Sequence, residues 1–248
     1  MATLPALSVQ LYSVRNQLAA DLRGTLATLA GIGLTQVEPY DLLTNPEELR
    51  DALQANGLTA PSAHARLASE GVDLDAIFDA ALLVGVQTVV DPMTDPARWT
   101  TREGVQGAAD DLSRAAEKAA EHGLRVGYHN HWFEWESSID SQPAFEVFAQ
   151  LLDPSVVLEL DTYWAAVGGQ DVPAAITRLG DRVRLLHLKD GPLSRNNVEQ
   201  LPLGEGAMPV AEIVAAAKFL ELPVLEFDDY AGDVFEGLRR GFAFAKGL

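Results

Sequence analysis

The segment YHNHWFEW at Tyr128–Trp135 directly follows a short apolar run and brings together two histidines and an asparagine. Successive side chains of a half-buried strand alternate between its two faces. His129 and His131 are therefore expected to point the same way, with Asn130 on the opposite face. The pattern predicts a strand whose carboxyl end contributes two imidazoles to the floor of a pocket.

Outward from this strand, short apolar runs alternate with longer amphipathic runs. The predicted strands are 7–12, 35–39, 58–64, 87–91, 124–130, 156–161, 183–189 and 224–227. The predicted helices are 22–30, 46–56, 73–84, 101–121, 143–152, 172–179, 209–220 and 234–246. Strict alternation implies a parallel sheet with right-handed crossovers. Eight such units in 248 residues predict an α/β fold, a single-domain (β/α)8 TIM barrel. No Gly-x-Gly-x-x-Gly follows the first strand, which disfavours an open dinucleotide-binding sheet.

The net charge and the lack of cysteine limit the kinds of binding partner and metal site that the chain can have. The net charge is −18, from 36 acidic and 18 basic residues, and this disfavours nucleic acid and anionic membranes as partners. The absence of cysteine excludes disulfides, thiolate metal sites and a cysteine nucleophile. No signal peptide or membrane-spanning stretch is evident. We therefore expect a cytoplasmic protein, monomeric or homodimeric, that binds neither nucleic acid nor membrane.

Polar side chains gather at the predicted carboxyl ends of the strands, whereas the amino ends are blander. Four of the five histidines lie at carboxyl ends, His122 being the exception. Active sites of (β/α)8 barrels lie at this face, so the asymmetry predicts a polar pocket there. The residues at the strand ends are Gln10, Tyr12, Glu38, His64, Asp91, His129, His131, Asp161, His187, Lys189, Glu226 and Asp228.

Asp161, His187 and Glu226 end three consecutive predicted strands, each after an apolar run. Two carboxylates and an imidazole that meet in one cleft must be paired or metal-bound, because clustered buried charges are costly. Mixed oxygen and nitrogen ligands suit Mn²⁺, Zn²⁺, Co²⁺ or Fe²⁺ better than Ca²⁺. The alternative is an Asp–His–Lys hydrogen-bond network without metal.

A set of motifs spread in order over almost the whole chain resembles the xylose isomerase-like TIM-barrel superfamily, and most closely its sugar phosphate isomerase/epimerase branch. The superfamily also includes endonuclease IV, which the acidic balance of this chain disfavours. The motifs that carry the resemblance are Gln10–Arg15, Val37–Glu38, Pro61–His64, Gly127–Trp135, Leu158–Trp164, Leu186–Asp190, Gly204–Gly206 and Glu226–Asp228.

The resemblance implies a divalent metal held by Glu, Asp, His and Glu from strands five to eight. Asp161, His187 and Glu226 match the last three of these ligands. At the first position this chain departs from the pattern and has His129-Asn130-His131, so we expect His129 as the fourth ligand; a shifted register would place Tyr128 there instead. In the epimerases the two ligand glutamates exchange the substrate proton, and here only Glu226 remains in that role.

These features predict a metal-dependent isomerase or epimerase that acts on a small sugar or keto-sugar through an enediolate. Two alternatives stay open. One is a metal-dependent dehydratase or lyase acting on keto-sugars or inosose, which the missing glutamate favours. The other is a non-catalytic sugar-binding barrel. The candidate bases are Glu226, His131 and Lys189.

The substrate is expected to be a small, unphosphorylated sugar, since the chain is strongly acidic and has no evident glycine-rich phosphate-binding loop. Glu38 and His64 are the candidates for binding its hydroxyl groups. Trp132 and Trp164 closely follow proposed site residues and are expected to offer apolar walls against which a sugar ring packs.

Overall fold

A parallel sheet forms the centre of the molecule in the computed structural model, which describes residues 4–248. Its seven strands run in the order β1-β9-β8-β7-β4-β3-β2, and every neighbouring pair is parallel. A separate antiparallel pair, β5 and β6, forms a small hairpin. The strands are β1 Ser8–Val9, β2 Ser62–His64, β3 Thr88–Asp91, β4 Arg125–His129, β5 Ser138–Ile139, β6 Gln142–Pro143, β7 Val157–Asp161, β8 Val183–Leu188 and β9 Leu222–Leu225.

The segment 36–38 joins the two edges of this sheet. Isolated parallel bridges pair Gln10 with Glu38 on one side and Gln36 with Thr59 on the other. The Glu38 amide donates to the Val9 carbonyl at 2.8 Å, and the Val37 amide donates to the Thr59 carbonyl at 2.9 Å. The predicted strand at 35–39 is thus a bridging segment rather than a regular strand, and it completes the ring of a (β/α)8 barrel.

The helices cover the outside of the ring, and their ends follow local capping. Asp21, Asp73 and Asp171 each accept an amide hydrogen bond at a helix start, while Gly85 ends one helix in the left-handed conformation. The α-helices are α1 Arg15–Ala20, α2 Leu22–Ile32, α3 Pro46–Ala55, α4 Leu74–Val84, α5 Arg102–Glu121, α6 Phe133–Glu136, α7 Ala144–Leu151, α8 Thr162–Val167, α9 Val172–Leu179, α10 Val210–Ala216 and α11 Val234–Ala245. Short 3-10 helices cover Leu11–Val14, Pro96–Thr100, Gly180–Arg182 and Asn197–Glu199.

The predicted helices are all present, but several boundaries differ from the sequence prediction. The strand expected over 58–64 begins at Ser62, and the strand expected over 224–227 spans Leu222–Leu225. The first strand was expected to reach residue 12, yet the chain turns into a 3-10 helix at Leu11 because the Gln10 side chain accepts the Tyr12 amide at 3.1 Å. The helix expected over 209–220 ends at Ala216, where Ala217 leaves the helical conformation with ψ at 67°. Over residues 4–248, no helix combines the length and apolarity needed to cross a bilayer.

The inside of the ring is layered, since residues two apart on a strand share a face. A small apolar cluster of Val157, Leu185, Leu222 and Val224 is separate from the main core. Two positions further along the same strands come Glu159, His187 and Glu226, all buried. The outward faces, such as Leu158 and Leu186, belong to the main core under the helices. The two-residue period of the side chains therefore places these charged residues above the small apolar cluster, which we call the apolar plug.

Candidate active site

A buried layer of carboxylates and imidazoles lies above the apolar plug. We call Glu38, His64, Glu159 and His187 the His–Glu layer. Glu159 Oε2 lies 2.6 Å from His64 Nε2 and 3.1 Å from His187 Nε2. Glu38 Oε1 lies 2.8 Å from His187 Nε2 and 3.2 Å from His64 Nε2. Every nitrogen in these contacts therefore meets a carboxylate oxygen.

The charges of the His–Glu layer balance one another. Burial alone would lower the pKa of His64, but the carboxylates of Glu38 and Glu159 raise it to about 10. The carboxylates of Glu159 and Glu226 likewise raise the pKa of His187 despite its burial. Burial would raise the pKa of Glu38, yet the imidazoles of His64 and His187 hold it well below its usual range. Two imidazolium groups thus face two carboxylates.

A second charged group, which we call the Lys–carboxylate layer, consists of Asp161, Lys189, Glu226 and Asp228. Lys189 Nζ lies 2.8 Å from Asp161 Oδ2, 2.6 Å from Glu226 Oε2 and 2.8 Å from Asp228 Oδ2. These carboxylates raise the pKa of Lys189 although its burial opposes the shift. His187 also contacts Glu226 at 2.7 Å, so the two layers are best counted together. When ionised they have five carboxylates and three cations, an excess of two negative charges that a largely buried site tolerates poorly.

The two carboxylates nearest the lysine differ in their electrostatics. Burial raises the pKa of Asp161 to about 6, and the Lys189 ammonium only partly opposes this. For Glu226 the balance is reversed, because Lys189 and His187 outweigh the effect of burial and lower its pKa. Asp161 Oδ2 is buried without a hydrogen-bond partner, although it lies within ion-pair distance of Lys189. The same oxygen lies 3.6 Å from His129 Nε2, so a second cation that bound here would share Asp161 with the Lys189 ammonium.

Residues that the sequence reasoning did not assign hold these groups in place. The Gln200 amide donates to Asp228 Oδ2 at 2.7 Å and accepts the Asp228 backbone N–H at 2.9 Å. The Asn130 side chain accepts the Asp161 backbone N–H at 3.0 Å and donates to the Asp161 carbonyl at 3.2 Å. Asn130 thus fixes the end of β7 from the neighbouring strand.

The loop that carries Gln200 is anchored by the buried carboxylate of Asp190. This carboxylate accepts backbone N–H groups from Gly191 and Gly204 at 2.9 Å and from Met208 at 3.0 Å. A Cβ atom at Gly206 would lie only 2.1 Å from Asp190 Oδ1, so glycine is required for this approach. The hydrogen bonds of Asp190 and the close approach of Gly206 therefore fix the backbone path of this loop.

We expect Asp190→Ala to lower the free energy of unfolding by about 3 kcal/mol, because three backbone donors lose a charged acceptor in a buried place. Urea unfolding measures the change. Asp171→Ala is the control, since the Asp171 carboxylate accepts a single N–H, that of Ala174, on the surface. The loss should be clearly smaller there, and equal losses in the two variants would contradict the anchoring role of Asp190.

A cavity of about 320 Å³ opens beside these layers at the carboxyl ends of the strands. Of the predicted site residues, His64, His129, His131 and Glu226 line it. Asp161, His187, Lys189 and Glu38 are buried and lie outside this lining. The remaining lining residues are Tyr12, Tyr40, Arg66, Pro92, Met93, Asn197 and Asp228.

The aromatic residues of the cavity differ from those that the sequence singled out. Trp164 is 1% exposed, and its ring packs against that of Trp132 with centroids 4.8 Å apart. Neither tryptophan belongs to the cavity lining. Tyr12 and Tyr40 do line it, edge to face at 5.4 Å and each more than a third exposed. Tyr12 was among the residues expected at the strand ends, whereas Tyr40, which follows Pro39, was not assigned from the sequence.

His131 lies on the cavity wall beside a buried acid, Glu134. The His131 backbone N–H donates to Glu134 Oε2 at 2.8 Å, and the Tyr128 hydroxyl donates to Glu134 Oε1 at 3.1 Å. Burial, reinforced by the Lys189 charge, lowers the pKa of His131 to about 4. Its imidazole is therefore neutral near pH 7. Burial raises the pKa of Glu134 to about 8.

Glu134→Gln is expected to stabilise the protein at high pH. The folded-state pKa of about 8 lies above the ordinary value of 4.5, so ionisation favours the unfolded chain. The contribution of Glu134 to the stability of the wild type should fall from about pH 4.5 to pH 8 and then level off, by on the order of 5 kcal/mol. The Gln variant should lack this fall.

Urea unfolding from pH 5 to pH 9 tests this expectation. Glu117→Gln removes the same charge from an exposed position on α5 and is the control. If the stability of Glu134→Gln falls in parallel with that of the wild type over this range, ionisation of the Glu134 carboxyl does not lower the free energy of unfolding, which contradicts the expectation.

Two overlapping sets of buried side chains could hold a metal ion. His129, Asp161, His187 and Glu226 form one set, and His64, His129, Glu159 and His187 form the other, with ligand atoms within 4.8 Å of one another in each. In the second set Glu159 Oε2 already contacts all three imidazoles. The first set fits a divalent ion better, because two of its members, Asp161 and Glu226, are carboxylates of the layer with excess negative charge.

A closed ring of parallel strands, with helices outside and a polar cavity at the carboxyl ends, defines the (β/α)8 class of barrels. The chain belongs to the xylose isomerase-like TIM barrel family, whose model matches residues 26–223. The family predicted from the sequence motifs is thereby confirmed.

Solved structures resemble this chain over nearly its whole length. A sugar phosphate isomerase/epimerase from Parabacteroides distasonis gives a TM-score of 0.82 at 23% identity, covering 100% of this chain and 96% of that one. The IOLI protein with a bound zinc atom gives 0.74 at 11% identity, covering 98% of each chain. At these identities the likeness establishes the fold.

A curated relative matches a shorter segment. Inosose dehydratase of Mesomycoplasma hyopneumoniae is 30% identical over 100 residues, which are 40% of this chain and 32% of that protein. The match thus spans about a third of the length of this relative.

Proposed function

We propose that the protein is a metal-dependent isomerase or epimerase of a small sugar or keto-sugar and that it acts through an enediolate. One observation carries the proposal: in the Lys–carboxylate layer, Asp161, Glu226 and Asp228 face a single ammonium, and two of these carboxylates, Glu226 and Asp228, line the cavity. The two excess negative charges match the charge of a divalent cation. A neutral imidazole, His129, lies beside them, with Nε2 3.6 Å from Asp161 Oδ2.

His129, Asp161, His187 and Glu226 would hold the ion, which would be Mn²⁺, Zn²⁺, Co²⁺ or Fe²⁺ given these oxygen and nitrogen donors. The His187 imidazolium would lose one ring proton when the ion binds, because only a nitrogen without a proton can be a ligand. When bound, such an ion polarises a substrate carbonyl and an adjacent hydroxyl. The ion would share Asp161 and Glu226 with the Lys189 ammonium. Asp228 would remain a partner of the lysine, so Lys189 keeps a counter-charge in the loaded site.

Two side chains on the cavity wall can accept a proton near neutral pH. Lys189 and His187 lower the pKa of Glu226, so its carboxylate is ionised. His131 is neutral because burial lowers its pKa to about 4. In the proposed mechanism one of these groups removes the proton next to the polarised carbonyl. Lys189 was also a candidate base, but its three carboxylate partners keep it protonated, so we assign it charge stabilisation and proton donation.

The cavity favours a small substrate without a phosphate group. Glu226 and Asp228 line it, and so do two cationic side chains, Arg66 and His64, of which His64 is already paired with Glu38 and Glu159. The Arg66 guanidinium already donates to the Met93 carbonyl at 2.8 Å. A neutral polyol avoids the repulsion that a phosphate would meet, and His64 and Asn197 offer polar contacts to its hydroxyls. Glu38, Trp132 and Trp164 would act indirectly, since they do not line the cavity.

A metal-dependent dehydratase is the second candidate. The observation that favours it is the pairing of one glutamate, Glu226, with a buried ammonium, Lys189, at 2.6 Å. After Glu226 or His131 removes a proton, such an ammonium can protonate a departing hydroxyl, and the products are an enol and water. The inosose dehydratase relative agrees with this chemistry.

Metal reloading followed by isotope exchange tests both candidates. Chelated protein is reloaded separately with Mn²⁺, Zn²⁺, Co²⁺ or Fe²⁺ and incubated in D₂O with ketopentoses, ketohexoses and inosose. Deuterium at the carbon next to the carbonyl, with an isomeric product, supports the isomerase or epimerase. A product lighter by one water supports the dehydratase. Sugar binding without any exchange would leave the non-catalytic barrel as the correct reading.

A further inference from the structure

We propose that Glu159 is a positioning residue for the metal site: its buried carboxylate binds one ring nitrogen of His129 and thereby turns the other nitrogen toward Asp161. The inference rests on the proposed function, because it concerns a ligand of the proposed metal. It assigns a role to a residue that lies outside both the predicted ligand set and the cavity lining.

The strand register places Glu159 directly below the metal ligands. Glu159 and Asp161 are two residues apart on β7, so their side chains leave the same face of the strand. Across the sheet, Glu159 is the register partner of His129 on β4, and Asp161 is the partner of His187 on β8. Glu159 therefore sits one level deeper than Asp161, beside the imidazole that completes the set.

The contacts of His129 separate its two ring nitrogens. Nδ1 lies 3.2 Å from Glu159 Oε2, and Nε2 lies 3.6 Å from Asp161 Oδ2. A neutral imidazole carries one proton, which belongs on the nitrogen that meets a hydrogen-bond acceptor. If Nδ1 donates to Glu159, the lone pair of Nε2 faces the Lys–carboxylate layer. A carboxylate behind a ligating imidazole fixes its tautomer and its ring orientation and strengthens it as a ligand.

His187 has a similar arrangement but a second support. Its Nε2 lies 3.1 Å from Glu159 Oε2 and 2.8 Å from Glu38 Oε1, and its Nδ1 lies 2.7 Å from Glu226 Oε2. Loss of Glu159 would leave His187 supported by Glu38. His129 has no such substitute among the hydrogen bonds of the described residues. The effect of Glu159 is therefore expected to act mainly through His129.

The variant Glu159→Gln tests the assignment, since the side-chain amide keeps the size of the carboxylate but can donate a proton to Nδ1. Zn²⁺ affinity is measured on the full-length, chelated protein by competition with a chromophoric chelator. Loss of a carboxylate behind a ligating imidazole typically weakens binding 10- to 100-fold, and we expect this range. Glu134→Gln is the matched control, because Glu134 is equally buried but contacts no side chain of the ligand set. Its affinity should stay within about threefold of the wild type.

A spectroscopic measurement separates positioning from a general loss of structure. In ¹⁵N-imidazole NMR of the zinc-loaded wild type, His129 should carry its proton on Nδ1 and bind zinc through Nε2. Glu159→Gln should shift the His129 signals and leave those of His122 unchanged. If Glu159→Gln does not fold, Glu159→Asp keeps the charge, shortens the reach, and should weaken zinc binding in the same direction.

The outcomes distinguish this inference from the proposed function. Equal zinc affinity in the wild type and Glu159→Gln, or His129 bound to zinc through Nδ1, would overturn the positioning role while leaving a metal enzyme. A Co²⁺ spectrum that loses one ligand in Glu159→Gln would also overturn it, since Glu159 would then be a direct ligand with His64. A wild type that binds no divalent ion would refute the metal-dependent function and the inference together.

Discussion

Glu226→Gln is expected to lower kcat/KM by about 10³-fold, within the range typical for loss of a positioned acid or base. The substitution keeps the shape of the side chain but removes its charge. It also replaces the oxygen that lies 2.6 Å from Lys189 Nζ and 2.7 Å from His187 Nδ1. Because Glu226 is both a proposed ligand and a cavity residue, metal affinity and turnover should fall together.

The measurement is steady-state kinetics on the substrate that the exchange screen identifies, with zinc affinity determined in parallel. Glu199→Gln is the control, since Glu199 is an exposed carboxylate on the loop that lies over the site. The kcat/KM of Glu199→Gln should equal that of the wild type. A Glu226→Gln variant with full activity would remove Glu226 from the mechanism. If the wild type binds sugar without turnover and Glu226→Gln binds it equally well, the protein is a sugar-binding protein.

The positions of the proposed metal ligands were predictable because the barrel supplies a simple rule. Each strand delivers its carboxyl end to one face of the ring, so a polar residue after an apolar run belongs to that face. Asp161, His187 and Glu226 obey this rule and approach one another as it requires. The helix ends were predictable for a similarly local reason, namely capping by residues such as Asp73 and Gly85.

Glu159 was within reach of the same reasoning. It is a charged residue inside the otherwise apolar run Val157-Leu158-Glu159-Leu160, two positions before Asp161. The period of two places it on the face that also carries the ligand, and a buried carboxylate there requires a partner. The sequence analysis nevertheless treated this run as apolar and did not assign Glu159, and the imidazoles that Glu159 contacts come from other strands.

Gln200 and Tyr40 had no comparable signal. The position of Gln200 depends on a loop whose path is fixed by Asp190 and by the close approach of Gly206. Contacts of this kind leave no periodic pattern in the sequence. Trp164 shows the opposite case: it follows Asp161 closely, but α8 begins between them and carries its ring into the core.

Lys189→Met is expected to lower the free energy of unfolding of the metal-free protein by about 3–5 kcal/mol, the usual cost of removing one partner from a buried charge cluster. Asp161, Glu226 and Asp228 would then face one another without their ammonium. Urea unfolding in the presence of a chelator measures the loss. Lys118→Met is the control, because Lys118 also pairs with two carboxylates, Asp75 and Glu121, but on the surface. It should change little.

A divalent ion should restore more stability to Lys189→Met than to the wild type. The variant keeps the three carboxylates of the Lys–carboxylate layer and has lost its resident cation, so a bound ion there meets more uncompensated negative charge. Repeating the unfolding series with saturating Zn²⁺ or Mn²⁺ gives the two increments. Equal increments would mean that the lysine and the ion do not share Asp161 and Glu226. In that case the metal, if bound, would have to sit in the deeper set of His64, His129, Glu159 and His187.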